Sequence, residues 1–342
     1  MNEVGKKLII YICVSIGIFA LVLDSQRALN GAVEGIDICI RTVIPSLFPF
    51  FIVSILLTSA VSTTKIPLLT PLRKLCRIPE GSEAILLIGL LGGYPVGAQC
   101  ISNAYKSGQL TKVDAQRMLG FCNNAGPAFL FGMLGQLFDS KTAALLLWSI
   151  HIVAALLTGM VLPGKPGAGL RQISTSSNNN GQIMRQSIGA MANVCGWVVI
   201  FRVILCFMKH WIFWILPRDA QIMLFGILEL SNGCIELYAM ESIAGRFIFS
   251  SVFLSMGGVC VLMQTLASVS QAGLDLGMYI PGKILQTSFS FILAVASAQI
   301  LFSPDTLVPK YLLPIPALII AGVLLFMKKK ENNSSIPAFG GV

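Results

Sequence analysis

The chain is cut into apolar blocks of bilayer length, and this segmentation constrains its fold more than any other feature. The blocks fall at 8–23, 43–61, 84–105, 118–138, 143–162, 188–208, 220–240, 247–269, 284–302 and 311–327. An α-helix rises 1.5 Å per residue, so about 20 apolar residues cross the hydrocarbon core of a bilayer. Of the 342 residues 55% are apolar and only 11% charged, against about 25% charged in an ordinary soluble domain. That balance excludes a disordered chain and does not fit a soluble globular enzyme. In lipid every backbone polar group needs an internal partner. The sequence therefore reads as all-α: a polytopic integral membrane helix bundle, multi-pass in the cell membrane.

The net charge of +9 would suggest nucleic acid in a soluble domain. Here the basic residues sit in short loops between apolar blocks, where the positive-inside bias of membrane proteins accounts for them; no nucleic-acid partner is expected, and lipid is. Nine cysteines are scattered singly, without Cys-x-x-Cys and without partner histidines, so neither a disulfide framework nor a zinc site follows. His151 stands in an apolar block with no second ligand at metal spacing and reads as a core histidine. Metal, cofactor and catalytic residues are all expected to be none: the chain has no His-Glu-x-x-His, Gly-x-Ser-x-Gly, P-loop or paired carboxylates, and it is not read as an enzyme.

Residues 163–187 include Ser174-Thr175-Ser176-Ser177-Asn178-Asn179-Asn180-Gly181, a flexible-linker composition that divides the chain near its middle. The resulting organisation is 1–42 as an N-terminal membrane helix with an amphipathic connection, 43–162 as a first repeat, 163–187 as the polar linker, 188–302 as a second repeat, and 303–342 as a C-terminal helix with a basic tail.

Two blocks carry glycine at their centres: Gly89, Gly92, Gly93, Pro95 and Gly97 in 84–105, and Gly257 and Gly258 in 247–269. Such interruptions suit re-entrant hairpins, or equally close helix packing through small residues. Loop charge favours hairpins. With ten crossings Lys and Arg divide thirteen to ten between the faces, Arg202 set aside; with those two blocks as hairpins they divide seventeen to six. The expectation is about eight spanning helices plus two re-entrant hairpins, both on the cytoplasmic face, with a two-fold internal repeat. Gly92/Gly257, Gly93/Gly258, Val96/Val261, Gln99/Gln264 and Gly108/Gly273 match at one offset. Parallel and inverted repeats both remain open.

Polar groups inside apolar blocks are costly and tend to face a cavity or one another. Phe121-Cys122-Asn123-Asn124-Ala125-Gly126-Pro127 cannot continue a regular helix, because proline removes a donor and clashes one turn back. Either the freed carbonyls and Asn amides serve a ligand, or the segment is a repaired kink. In Glu229-Leu230-Ser231-Asn232-Gly233 a carboxylate stands among apolar neighbours. Its open roles are cation or proton coupling, hydrogen bonding to a ligand, and a structural pair with Arg202, read as the one basic residue within a span. Gln99 and Asn103 share a helix face, as do Gln264 and Ser268. Thr111-Lys112-Val113-Asp114 has the form of a capping box with Asp replacing Glu.

At these residues the sequence resembles the nucleoside-recognition, or Gate, domain membrane proteins, closest to the sporulation integral membrane protein branch. The resemblance runs over most of 43–300. It is carried by Val43-Ile44-Pro45-Ser46-Leu47-Phe48-Pro49-Phe50-Phe51, Gly92-Gly93-Tyr94-Pro95-Val96-Gly97-Ala98 and Phe121–Pro127, then by Glu229–Gly233 and Gly257-Gly258 with Gln264; Met256 stands where that branch carries phenylalanine. It implies a fold element shared with concentrative nucleoside transporters and with the membrane part of ferrous-iron transporters, and a link to spore formation. It does not fix a substrate. The expected function is a transporter-like protein binding or moving a small polar solute. The candidate binding residues are Gly92, Gly93, Gln99, Asn123, Asn124, Glu229, Ser231, Asn232 and Gln264. The alternative is a non-transporting scaffold in sporulation envelope assembly. A homo-oligomer is compatible with either.

Overall fold

A computed structural model describes residues 3–60, 66–164, 180–302 and 314–334, all of whose regular elements are helical. Most of the 163–187 linker and the basic tail beyond Ser334 lie outside these residues. Among the described residues, five helical stretches are long and apolar enough to cross a membrane: Ser25–Leu56, Lys141–Val161, Gly181–Trp211, Ile243–Ser270 and Tyr279–Leu301. The polytopic all-α bundle expected from the apolar blocks is what the chain forms.

After α1 (Glu3–Leu23), α2 (Ser25–Ile38) runs through a π-turn at Cys39–Val43 into α3 (Ile44–Ala60). A short α4 (Thr70–Leu75) leads to α5 (Glu83–Leu91) and α6 (Val96–Lys106). A methyl on Gly89 would lie 2.4 Å from the Cys122 carbonyl oxygen, and one on Gly97 would lie 2.0 Å from the same oxygen. Eight residues of straight helix would separate those glycines by about 12 Å, so α5 and α6 fold back on each other as a hairpin with its tip at Gly92–Pro95. The Tyr94–Pro95 peptide in that tip is cis.

Next comes α7 (Lys112–Leu119), then unwound chain to Gly126, then α8 (Pro127–Phe129), a π-turn at Leu130–Leu134 and α9 (Gly135–Phe138). The Thr111 hydroxyl accepts the Asp114 N–H at 3.1 Å and caps α7, while it donates to the Asp114 carboxylate at 2.6 Å. Pro127 occupies the first turn of a new helix, where its missing N–H costs nothing, so the interruption is a break rather than a kink. This broken helix runs antiparallel to α10 (Lys141–Val161): the Arg117 guanidinium donates to Gly159 and Leu162 carbonyls, the Ala125 N–H to His151, and the Phe131 ring lies 6.1 Å from Trp148.

The second half repeats the order. α11 (Asn180–Trp211) lies antiparallel against α2 and α3, with Gly31 on Val203, Gly35 on Val199 and the Cys39 thiol on the Cys195 carbonyl. α12 (Arg218–Leu228) and α13 (Leu230–Glu236) are joined by Glu229 alone. They too fold back, because a methyl on Gly233 would lie 2.2 Å from the Gly226 Cα. α14 (Ile243–Met256) then bends at Gly257 and Gly258, both in the left-handed region at φ +77° and +79°, into α15 (Gly258–Ser270). α16 (Tyr279–Leu301) returns along α14, joined by the Ser251–Ser290 hydroxyl pair at 2.7 Å. Each half is thus long helix, hairpin, broken helix, helix; α10 and α16 pack together between the halves, and α17 (Pro314–Ser334) leans on α16.

Two sequence expectations are corrected. The second hairpin lies one block earlier than expected, in 218–236, and the 247–269 block is the broken crossing helix. Its two arms hardly touch, because two successive left-handed glycines turn the chain once and do not return it. The Gly92/Gly257 correspondence therefore aligns a hairpin tip with a helix break. The hairpins also do not share a face. Between the base of the first, at Lys106–Thr111, and the base of the second, at Ile212–Pro217, the chain runs three lengths of the bundle, through 112–138, α10 and α11, which brings the two hairpins in from opposite ends. The repeats are inverted.

Candidate functional site

Hairpin lengths place the site in depth. α5, α6 and α12 have 9, 11 and 11 residues, hence about 14–17 Å of rise, close to half of a ~30 Å hydrocarbon core, and α13, with seven, is shorter. Entering the bundle from opposite ends, the two tips line the same space. Each also meets the break of its own half: Gly93 approaches Gly126, and the carbonyls of Gly226, Ile227 and Leu228 surround the position of a Gly258 methyl at 3.1–3.3 Å.

A cavity of about 70 Å³ lies where these segments converge. Gly93 and Tyr94 of the first tip, Ala125 and Gly126 of the first break, Glu229 and Ser231 of the second tip, and Gln264 of α15 all line it, and the π-turn before α3 contributes Thr42. Four of the nine sequence candidates, Gly93, Glu229, Ser231 and Gln264, face this one space.

The Glu229 carboxylate is buried. It accepts the Ser231 N–H at 3.1 Å, the Asn232 N–H at 2.8 Å and the Asn232 side-chain amide at 2.6 Å. The two main-chain groups are orphan donors at the start of α13, so the carboxylate is both helix cap and cavity wall. It does not pair with Arg202. That guanidinium bonds the Glu34 carboxylate at 2.6 Å and the Asn232 side-chain oxygen, and it reaches Glu229 only through Asn232. Glu34, in a stretch read from sequence as a connection, is on α2 beside α11.

The remaining candidates stand behind the cavity. The Asn123 Oδ1 accepts the Ala98 N–H at 3.3 Å and its Nδ2 donates to Thr265 at 3.0 Å. The Asn124 Nδ2 donates to the Gly89 and Phe121 carbonyls at 2.8 and 2.7 Å, and its Oδ1 accepts from Gln286 at 2.8 Å. Both amides, expected to be available to a ligand, are committed to protein partners and fix the break against the hairpin. Gln99 donates to Asn103 at 3.1 Å, as the shared helix face implied. Gly92 closes α5. His151 accepts from the Ala125 N–H through Nε2 at 3.1 Å, so its Nδ1 carries the proton and donates to Ser255 at 3.2 Å; it is a satisfied core residue.

Sequence reasoning missed Lys283. On apolar content alone the block begins at residue 284, one position too late, whereas α16 starts at Tyr279 and Lys283 lies inside it, buried. Its ammonium donates to the Asn123 carbonyl at 2.6 Å, the Gln286 amide oxygen at 2.7 Å and the Tyr94 hydroxyl at 2.9 Å. The Lys283/Gln286 spacing of three, on one helix face just after Pro281-Gly282, was the available signal.

Over 140 residues the chain is 29% identical to the sporulation integral membrane protein YlbJ of Bacillus subtilis (strain 168). The matched stretch is 40% of this chain and spans about a third, 34%, of that protein's length. No family model matches the chain, and no solved structure does. The likeness is to a sporulation membrane protein, and the chain is a multi-pass membrane protein by its own helices.

Proposed function

We propose that this protein is a transporter-like membrane protein that binds and moves a small polar solute through the space between the two hairpin tips, in the service of spore formation. The observation that carries the reading is the convergence of two short hairpins and two helix breaks on one cavity, whose largely apolar wall carries the polar side chains of Thr42, Glu229, Ser231 and Gln264. Broken helices in paired positions of inverted halves expose backbone groups that take the place of a solute's hydration. The sporulation role rests on the name of the partial relative, and the nucleoside label on the Gate-domain resemblance alone.

Small-molecule pockets measure roughly 300–1,000 Å³, and a water takes about 30 Å³. The cavity of about 70 Å³ therefore has room for water or a small ion and not for a nucleoside. A solute of nucleoside size enters when one tip moves away from its helix break. Ser231, Gln264 and the free face of Glu229 would then offer hydrogen bonds to it.

Purified protein in liposomes, presented with nucleosides, inorganic ions and polar metabolites, tests this. Binding or uptake of at least one is expected. Glu229→Gln should weaken it by about tenfold or more, since a hydrogen bond to a charged group contributes ~1.5–3 kcal/mol. No binding and no uptake of any of them would contradict the reading and leave a membrane scaffold.

A further inference from the structure

The proton positions around Lys283 are fixed by its neighbours. The Tyr94 hydroxyl gives its one proton to the Leu254 carbonyl at 3.0 Å, so its oxygen can only accept from Lys283. The Gln286 Nε2 donates to the Asn124 Oδ1, which turns its Oε1 towards the lysine. The third partner is the Asn123 main-chain carbonyl. Three acceptors require three N–H donors, and only the ammonium form has three. The Tyr94 and Tyr279 ring faces lie 4.8 and 5.7 Å from the charge and add cation–π attraction. No carboxylate lies within ion-pair distance of Lys283 among the described residues.

A buried ion without a counter-ion carries a desolvation cost of several kcal/mol. Here it is met by oxygens from three separate elements: a tip hydroxyl, a carbonyl freed by a helix break, and an amide one turn along α16. Main-chain carbonyls at an unwound helix, joined by neutral side-chain oxygens, are the donor set that coordinates small monovalent cations in transporters. A second cavity, of about 340 Å³, is lined by Lys283 together with Tyr279, Gly258 and Thr287, and gives this group an approach from the side of α15 and α17.

We propose that Lys283 is a tethered monovalent cation: its ammonium fills an oxygen-lined cation site that clamps the first hairpin tip and the first helix break to α16, so no external inorganic cation occupies that position. This goes beyond the solute reading and does not depend on it. Removing the ammonium should leave a vacant site able to take a small cation, with an alkylammonium ion as the best match.

The test is thermal unfolding of the purified full-length protein in sodium, potassium, propylammonium and tetramethylammonium chloride at about 0.1 M, where general screening is equal. Wild type is expected to show the same Tm in all four. Lys283→Ala, which lacks the equivalent of a propylammonium group, should have a lower Tm in tetramethylammonium, which has no N–H, and regain at least half of the loss in propylammonium. Lys283→Met keeps the chain volume without the charge and should also have a lower Tm. The proposal is overturned if wild type is selectively stabilised by sodium or potassium, if either variant equals wild type in tetramethylammonium, or if propylammonium restores nothing to Lys283→Ala. The wild-type series needs no variant and decides alone if neither variant can be purified.

Discussion

The Cys122 carbonyl oxygen occupies the place where a methyl group on either Gly89 or Gly97 would have to sit, and at this single atom the first hairpin locks to the first helix break. An added Cβ meets backbone there, which cannot rotate aside. Gly97→Ala is therefore expected to destabilise the protein by about 3 kcal/mol, the upper range for overpacking. Gly196→Ala on α11 meets nothing within 4 Å and should be neutral or slightly stabilising, as alanine is the better helix former. Thermal unfolding of both variants separates the two cases; equal Tm values would contradict the close approach. The glycines of this tip stood out in the sequence because five residues of helix-breaking type lay within nine positions. Lys283 and Glu34 did not, since a charge at the edge of an apolar block reads equally well as loop until the true helix start is known.

Among the elements, the broken helices and the hairpins differed in legibility for a physical reason. The first break is written in Gly126-Pro127, which a regular helix cannot pass through, and was readable. The second hairpin turns on Glu229 alone, whose own carboxylate caps the returning helix, while the glycines that let its arms touch, Gly226 and Gly233, are spaced seven apart like any small-residue packing pair. Block 220–240 consequently resembled a plain span, and the Gly-Gly of 257–258 drew the hairpin assignment instead. Gly257 and Gly258 serve another purpose, since both hold left-handed backbone and Gly258 also admits the carbonyls of the second tip. Gly258→Ala should lose the ~1–2 kcal/mol of left-handed strain plus the cost of displacing three carbonyls. Gly273→Ala, at φ +72° with open space around it, should lose only the strain. Urea or thermal unfolding that found the two variants equally destabilised would show that the tip does not seat on this break.

In the whole molecule, two inverted halves send their hairpins in from opposite ends of the bundle to meet at one cavity. The cavity and the Lys283 clamp are both placed by that geometry, and loop charges alone could not supply it, because moving the second hairpin by one block changes the face of only the 241–246 loop, which carries a single basic residue, Arg246. Sidedness of labelling decides it most directly. In a cysteine-free background, single cysteines at the exposed positions Glu80 and Lys106 flank the first hairpin, and Arg218 and Glu241 flank the second. With an impermeant maleimide on oriented membrane vesicles, Glu80→Cys and Lys106→Cys should label from one side, and Arg218→Cys and Glu241→Cys from the other. Labelling of all four from the same side, or of the two positions flanking either hairpin from different sides, would contradict the inverted fold.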